Sequence, residues 1–166
     1  MGRLGMSDKR LLGALVGAGI VIAVAGVMTY VLLTRQAWRQ LPQDRTHPVL
    51  YVALGDSTVQ GVGASDPTNN YVSRLGERLR SVYPRTHLVN LRAIAATAAD
   101  VRDGQLQRAV ALRPDLVTLS VGPNDITRKR TAQQFEQDIE TILRTLTRGT
   151  GAVIVVNLLP DLTVTP

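Results

Sequence analysis

Residues 51–63 read "YVALGDSTVQGVG". An apolar run stops at Gly55-Asp56-Ser57, and small polar residues follow. Two readings are open for the serine at its end. It is a turn residue, or it is a nucleophile presented at the tip of a strand. The choice depends on what the rest of the chain places beside it.

The apolar run implies a strand over 49–54. Tyr71, Leu75, Leu79 and Val82 recur at helical spacing over 70–83, and Pro84 closes that segment. A second strand is expected over 87–91. Val101, Leu106 and Val110 mark a helix over 98–112, ended by Pro114. "LVTLSV" at 116–121 reads as a third strand. Phe135, Ile139, Ile142, Leu143 and Leu146 form one apolar stripe over 131–148, which Gly149 and Gly151 stop. "AVIVVNL" at 152–158 reads as a fourth strand. The order β-α-β-α-β-α-β predicts an α/β fold, a parallel sheet with helices on both faces. The strands are aliphatic and do not alternate, which fits burial on both sides. Internal repeats and low-complexity segments are absent from the sequence.

In an open α/β sheet, ligands bind beyond the carboxyl ends of the strands. Those ends are Gly55-Asp56-Ser57, the segment 93–97, Gly122-Pro123-Asn124-Asp125, and the segment 157–160. The topology brings Ser57 and Asn124 to one edge. Acyl transfer needs a nucleophile, a base to take its proton and donors for the oxyanion. The Asn124 amide and backbone N–H groups at Ser57 and near Ala95 are candidate donors. Taken singly, Gly-Asp-Ser and Pro-Asn-Asp are ordinary turns, and Asp56 is an ordinary cap for the segment that follows it.

Composition excludes several classes. The 166 residues hold no cysteine, so disulfides, thiolate metal sites and a cysteine nucleophile are ruled out. Hydrophobic residues make up 45% and aromatics 4%, which predicts an aliphatic core. The net charge of +6 comes mostly from scattered arginine, and the longest basic run is Arg128-Lys129-Arg130. Scattered arginine reads as a solvated surface, and no nucleic-acid partner is expected. Gly61-Val-Gly63 lacks the third glycine of a dinucleotide fingerprint, and Val59 breaks a Gly-x-Ser-x-Gly elbow. With no Walker sequence and no His-rich cluster, neither a cofactor nor a metal is expected.

The run 11–33, "LLGALVGAGIVIAVAGVMTYVLL", carries no charge. As a helix it is about 35 Å long, enough to cross a bilayer core. The expected organisation is a cytoplasmic tail at 1–10, a transmembrane anchor at 11–33, a linker at 34–48 and a globular domain at 49–166. A cleaved signal with a site near Ala23-Val24-Ala25 and a buried soluble helix are the alternatives. Basic residues flank the run almost evenly, so charge does not fix its orientation. Oligomeric state is unreadable.

"ALGDSTVQGVGAS" and "LSVGPNDI" resemble the first and third signature blocks of the SGNH hydrolases, also called GDSL esterases/lipases. The resemblance covers about Val49 to Pro166. It implies a flavodoxin-like three-layer α/β/α sandwich, with Ser57 as nucleophile. The Ser57 N–H and the Asn124 side chain are the implied oxyanion donors, with Ala95 where the second block normally offers a glycine N–H. Asp56, Gly122 and Asp125 lie in the same blocks and are expected to support these groups. The implied function is that of a membrane-anchored hydrolase of lipid, glycan or other acyl esters, its domain outside the cytoplasmic membrane.

Thr58 stands where the motif name has leucine, and Ala95 brings a methyl group to the site. The family's base is a histidine in an Asp-x-x-His block beyond a fifth strand. No such block occurs here, and Asp161 has no histidine after it. The expectation is therefore a chain truncated at its carboxyl end, its last strand and helix missing. His47 falls in the linker. His87 is expected at the amino edge of the sheet, away from Ser57. The competing reading is a non-catalytic binding or scaffold domain that keeps the fold without the base.

Overall fold

The computed structural model describes residues 39–157. The run 11–33, read above as an anchor, lies outside the described residues, and so does Asp161. No helix among the described residues is long and apolar enough to cross a membrane.

The strands are β1 (Leu50–Gly55), β2 (His87–Asn90), β3 (Leu116–Ser120) and β4 (Val153–Val156). They form one parallel sheet in the order β2-β1-β3-β4, with Leu50 opposite His87, Gly55 opposite Ser120 and Leu119 opposite Val156. The helices are α1 (Ser57–Gln60), α2 (Tyr71–Val82), α3 (Ala98–Gly104), α4 (Leu106–Leu112), α5 (Pro123–Thr127) and α6 (Ala132–Gly149).

Side chains alternate across the strands, and each face of the sheet has its own core. Tyr51 and Ala53 pack with Val59, Val72, Leu79 and Tyr83 of α1, α2 and the turn after α2. Val52, Leu54, Val117 and Leu119 pack with Val101, Leu106, Ala109, Ile142 and Leu146 of α3, α4 and α6. Helices thus cover both faces, giving the expected three layers. Each valine, leucine or isoleucine among them, taken fully out of water, contributes about 1.5–3 kcal/mol.

Helix ends follow local chemistry. Asn70 caps α2 by accepting from the Ser73 N–H at 2.9 Å. Thr97 with Asp100, and Thr131 with Gln134, form capping boxes at the starts of α3 and α6. Arg39 donates to the carbonyls of Thr147, Thr150 and Ala152 at the end of α6, where a cation meets the negative pole of the helix. Residues 39–48, within the segment read as a linker, lie against the domain: the Tyr83 hydroxyl donates to the Pro42 carbonyl at 2.7 Å, and Leu41 packs on the α2 side.

Two expectations are corrected. The helix read over 98–112 is two helices that meet at Gln105, because the buried Gln105 side chain bonds the backbone of β1. The Pro-Asn-Asp segment is the short helix α5 rather than a plain turn. Pro123 occupies its first turn, where a missing N–H costs nothing.

Candidate active site

β1 delivers the chain to the site through Gly55, whose φ is 141°. A Cβ there would lie 1.9 Å from the Ser120 carbonyl oxygen, so only glycine fits between β1 and β3. Gln105 locks this peptide from behind. Its Oε1 accepts from the Gly55 N–H and its Nε2 donates to the Gly55 carbonyl, each at 2.9 Å. Gly61 follows α1 in a left-handed conformation with φ of 86°, and its N–H and that of Val62 both donate to the Ser57 carbonyl at 3.0 Å. The tight turn after Ser57 therefore rests on a glycine.

Asp56 is buried and caps α1. Its Oδ1 accepts from both the N–H and the hydroxyl of Thr58 at 2.8 Å. Its Oδ2 accepts from the Asn124 amide at 3.2 Å. The same Asn124 nitrogen donates to the Ala96 carbonyl at 3.0 Å. Ser57 itself is half-buried beside this network. Thr58 completes the local web through a 3.0 Å hydrogen bond with Ser120. A hydroxyl residue after Gly-Asp-Ser thus has a definite role here, which leucine would not fill.

The second loop reaches the same edge. Ala95 has φ of 58°, a left-handed conformation that glycine adopts freely and alanine does not. Alanine thus takes up a left-handed conformation at the position where the resemblance implies a glycine. Ala96, Thr97 and Ala98 that follow are buried.

Asp125 is buried and ties the third loop to the second. Its two oxygens accept from the Ala98 N–H at 3.2 and 3.0 Å, and Arg130 Nε lies 3.0 Å from Oδ1. Burial pushes the Asp125 carboxyl above its ordinary pKa, while the Ala98 N–H and the Arg130 charge pull the other way. Arg130 also pairs with the buried Asp138 of α6, which Arg102 of α3 engages from its other oxygen. Gly122 opens α5 with φ of 137°, and its carbonyl accepts from the N–H groups of Asp125 and Ile126.

The structure thus brings Ser57, Asp56, Ala95, Gly122, Asn124 and Asp125 to one edge of the sheet. It does not bring a histidine there. His87 pairs with Leu50 at the start of β1, and His47 lies 3.7 Å from Asp115, just before β3. Both are at the amino edge, roughly 17 Å along β1 from Gly55. Among the described residues, no group of three acidic, histidine or cysteine side chains is placed to hold a metal ion.

Two features escaped the sequence reading. Gln105 looked like one polar residue in an amphipathic helix. The run Arg128-Lys129-Arg130 looked like solvated surface; Arg128 and Lys129 are exposed, but Arg130 joins the buried carboxylates, and the exposed Arg128 guanidinium donates to the Ala95 carbonyl at 2.9 Å. Their only sequence signal is a cluster of basic side chains just after Asn-Asp.

The model of the GDSL-like lipase/acylhydrolase family matches residues 53–166. The chain belongs to this family. Solved structures share its fold. The SGNH-hydrolase family esterase AlinE4 is 24% identical with a TM-score of 0.57, over 66% of this chain and 58% of that one. TesA is 24% identical with a TM-score of 0.58, over 67% and 62%. A catalytic mutant of Axe2, an acetylxylan esterase from Geobacillus stearothermophilus, is 19% identical with a TM-score of 0.54, over 65% and 58%. The chain therefore spans less than two thirds of the length of each of these. No curated protein matches the sequence.

Proposed function

We propose that this GDSL-family chain carries the nucleophile and oxyanion groups of a membrane-anchored serine hydrolase of acyl esters. The Ser57 hydroxyl attacks the ester carbonyl, and its proton passes to a base from outside the described residues. The tetrahedral oxyanion is met by the N–H groups of Ser57 and Ala95 and by one hydrogen of the Asn124 amide, turned from Asp56 or Ala96. Collapse expels the alcohol, and water then releases the acyl group from Ser57.

The observation that carries this reading is the 3.2 Å link from Asn124 to Asp56, which sets the third-block amide beside the peptide of the nucleophile. Exposed apolar side chains at the same edge, Val62 and Ile94 on loops and Ile126 on α5, suit an acyl substituent with apolar surface. The anchor at 11–33 rests on the sequence alone, and the outward-facing domain on the family resemblance.

The second reading is a non-catalytic binding domain of the same fold. It is favoured by the position of both described histidines at the far edge of the sheet. A fluorophosphonate probe separates the two readings in the full-length protein. Labelling that disappears in Ser57→Ala supports the hydrolase. Labelling that survives the substitution overturns Ser57 as nucleophile, and an unlabelled wild-type chain favours the binding domain.

A further inference from the structure

We infer that Arg128 is a positioning residue that holds the Ala95 peptide in its left-handed conformation, and so keeps the Ala95 N–H aimed at the reacting carbonyl. The role of that N–H rests on the hydrolase reading. The clamp itself rests on geometry alone.

Left-handed backbone is costly for alanine, and something nearby must offset that cost. Three side chains from one short stretch grip successive groups of the second loop. Arg128 donates to the Ala95 carbonyl at 2.9 Å, Asn124 donates to the Ala96 carbonyl at 3.0 Å, and Asp125 accepts from the Ala98 N–H. Arg128 bears directly on the strained residue. A flip of Ala95 to an ordinary conformation turns its carbonyl away and breaks this charge-assisted bond. The guanidinium is itself held. Its second nitrogen lies 3.5 Å from Asp100, and the Arg128 N–H donates to the Asn124 carbonyl at 3.0 Å. One residue therefore links the donor-bearing turn of α5 to the other donor loop. Glycine at position 95 would need no such clamp, because it enters the left-handed region without a Cβ. The pairing of alanine with arginine is thus a compensated pair.

The test is a four-member cycle in the full-length protein: wild type, Arg128→Ala, Ala95→Gly and the double variant. Peptide-level hydrogen exchange over 93–98 is one readout, with the β1 peptide as an internal control for global stability. The other readout is the rate of Ser57 labelling by a fluorophosphonate. In the alanine background, Arg128→Ala is expected to speed exchange of 93–98 about tenfold while β1 is unchanged, and to slow labelling by a similar factor. In the glycine background the same substitution is expected to change either readout by less than about threefold. Equal effects of Arg128→Ala in both backgrounds, or no effect on 93–98 in the alanine background, would overturn the inference. If wild-type Ser57 does not label, the hydrolase reading fails, and the exchange cycle still decides the clamp.

Discussion

The Asn124 amide donates to the Asp56 carboxylate at 3.2 Å, across 68 positions of sequence. Its other bond goes to the Ala96 carbonyl. Both hydrogens are thus committed within the protein, and the two acceptors fix the plane of the amide. A developing oxyanion competes with two good acceptors for one of these hydrogens. Such a donor is held ready but engages fully only when negative charge develops, which is the differential binding that accelerates a reaction.

Asn124→Ala in the active full-length protein is therefore expected to lower kcat by about 10²–10³, with KM changed little. Steady-state kinetics on a simple aryl ester checks this. An unchanged kcat removes Asn124 from the mechanism.

Asp56→Ala combines two losses. The cap of α1 goes, which costs about 1 kcal/mol of stability, and the Asn124 amide loses one of its guides. Asp56→Asn keeps an acceptor for Thr58 and is expected to retain most of the stability. Thermal unfolding of the two variants beside wild type separates capping from charge. Equal melting temperatures for all three would show that the cap contributes nothing measurable.

Gln105→Ala is expected to destabilise the fold by about 1–3 kcal/mol, because the buried Gly55 N–H then has no partner. Gly55→Ala is expected to cost more, since a Cβ there would lie 1.9 Å from backbone that cannot retreat without parting β1 from β3. Urea unfolding of both variants ranks them, and the reverse order would mean that the sheet yields more easily than its geometry implies.

Gln105 also marks where the sequence stopped being legible. The strands and long helices follow from aliphatic runs and helical periods, which are local, and parallel pairing follows from their order. Ser57 and Asn124 follow from the rule that binding groups sit at the carboxyl ends of strands. Gln105, Arg128 and Arg130 are different, because each takes its role from a partner on another element. A polar side chain in a helix looks the same whether it meets water or the Gly55 peptide 50 positions away. The left-handed Ala95 was equally hidden, since alanine gives no sign of a conformation that glycine would announce. The apolar run 11–33 was the plainest segment to read, and it lies outside the described residues.

Two tyrosines of the α2 side, Tyr51, fully buried, and Tyr71, partly buried with its hydroxyl inside, give the last prediction and differ at neutral pH. The Tyr51 hydroxyl bonds the Thr118 hydroxyl at 2.9 Å, and burial pushes its pKa up to about 12. The Tyr71 hydroxyl is buried near Thr118, Ser120 and Asn157 but makes no hydrogen bond of good geometry among the described residues; burial raises its pKa as well. At pH 7, Tyr51→Phe is expected to cost about 1 kcal/mol and Tyr71→Phe less, since the Tyr71 hydroxyl has no well-formed hydrogen bond among the described residues. Alkali reverses the emphasis. A phenol whose folded pKa is raised stabilises the fold fully below its unfolded pKa of 10.0, and that contribution is lost as the pH rises toward 12. Wild type should therefore lose about 2 kcal/mol or more between pH 9 and pH 12, and each Phe variant should lose less over the same interval. Urea midpoints at pH 7, 9 and 11.5 check both halves. A Tyr51→Phe variant with the wild-type alkaline slope would mean that the buried phenol reaches solvent before the fold opens.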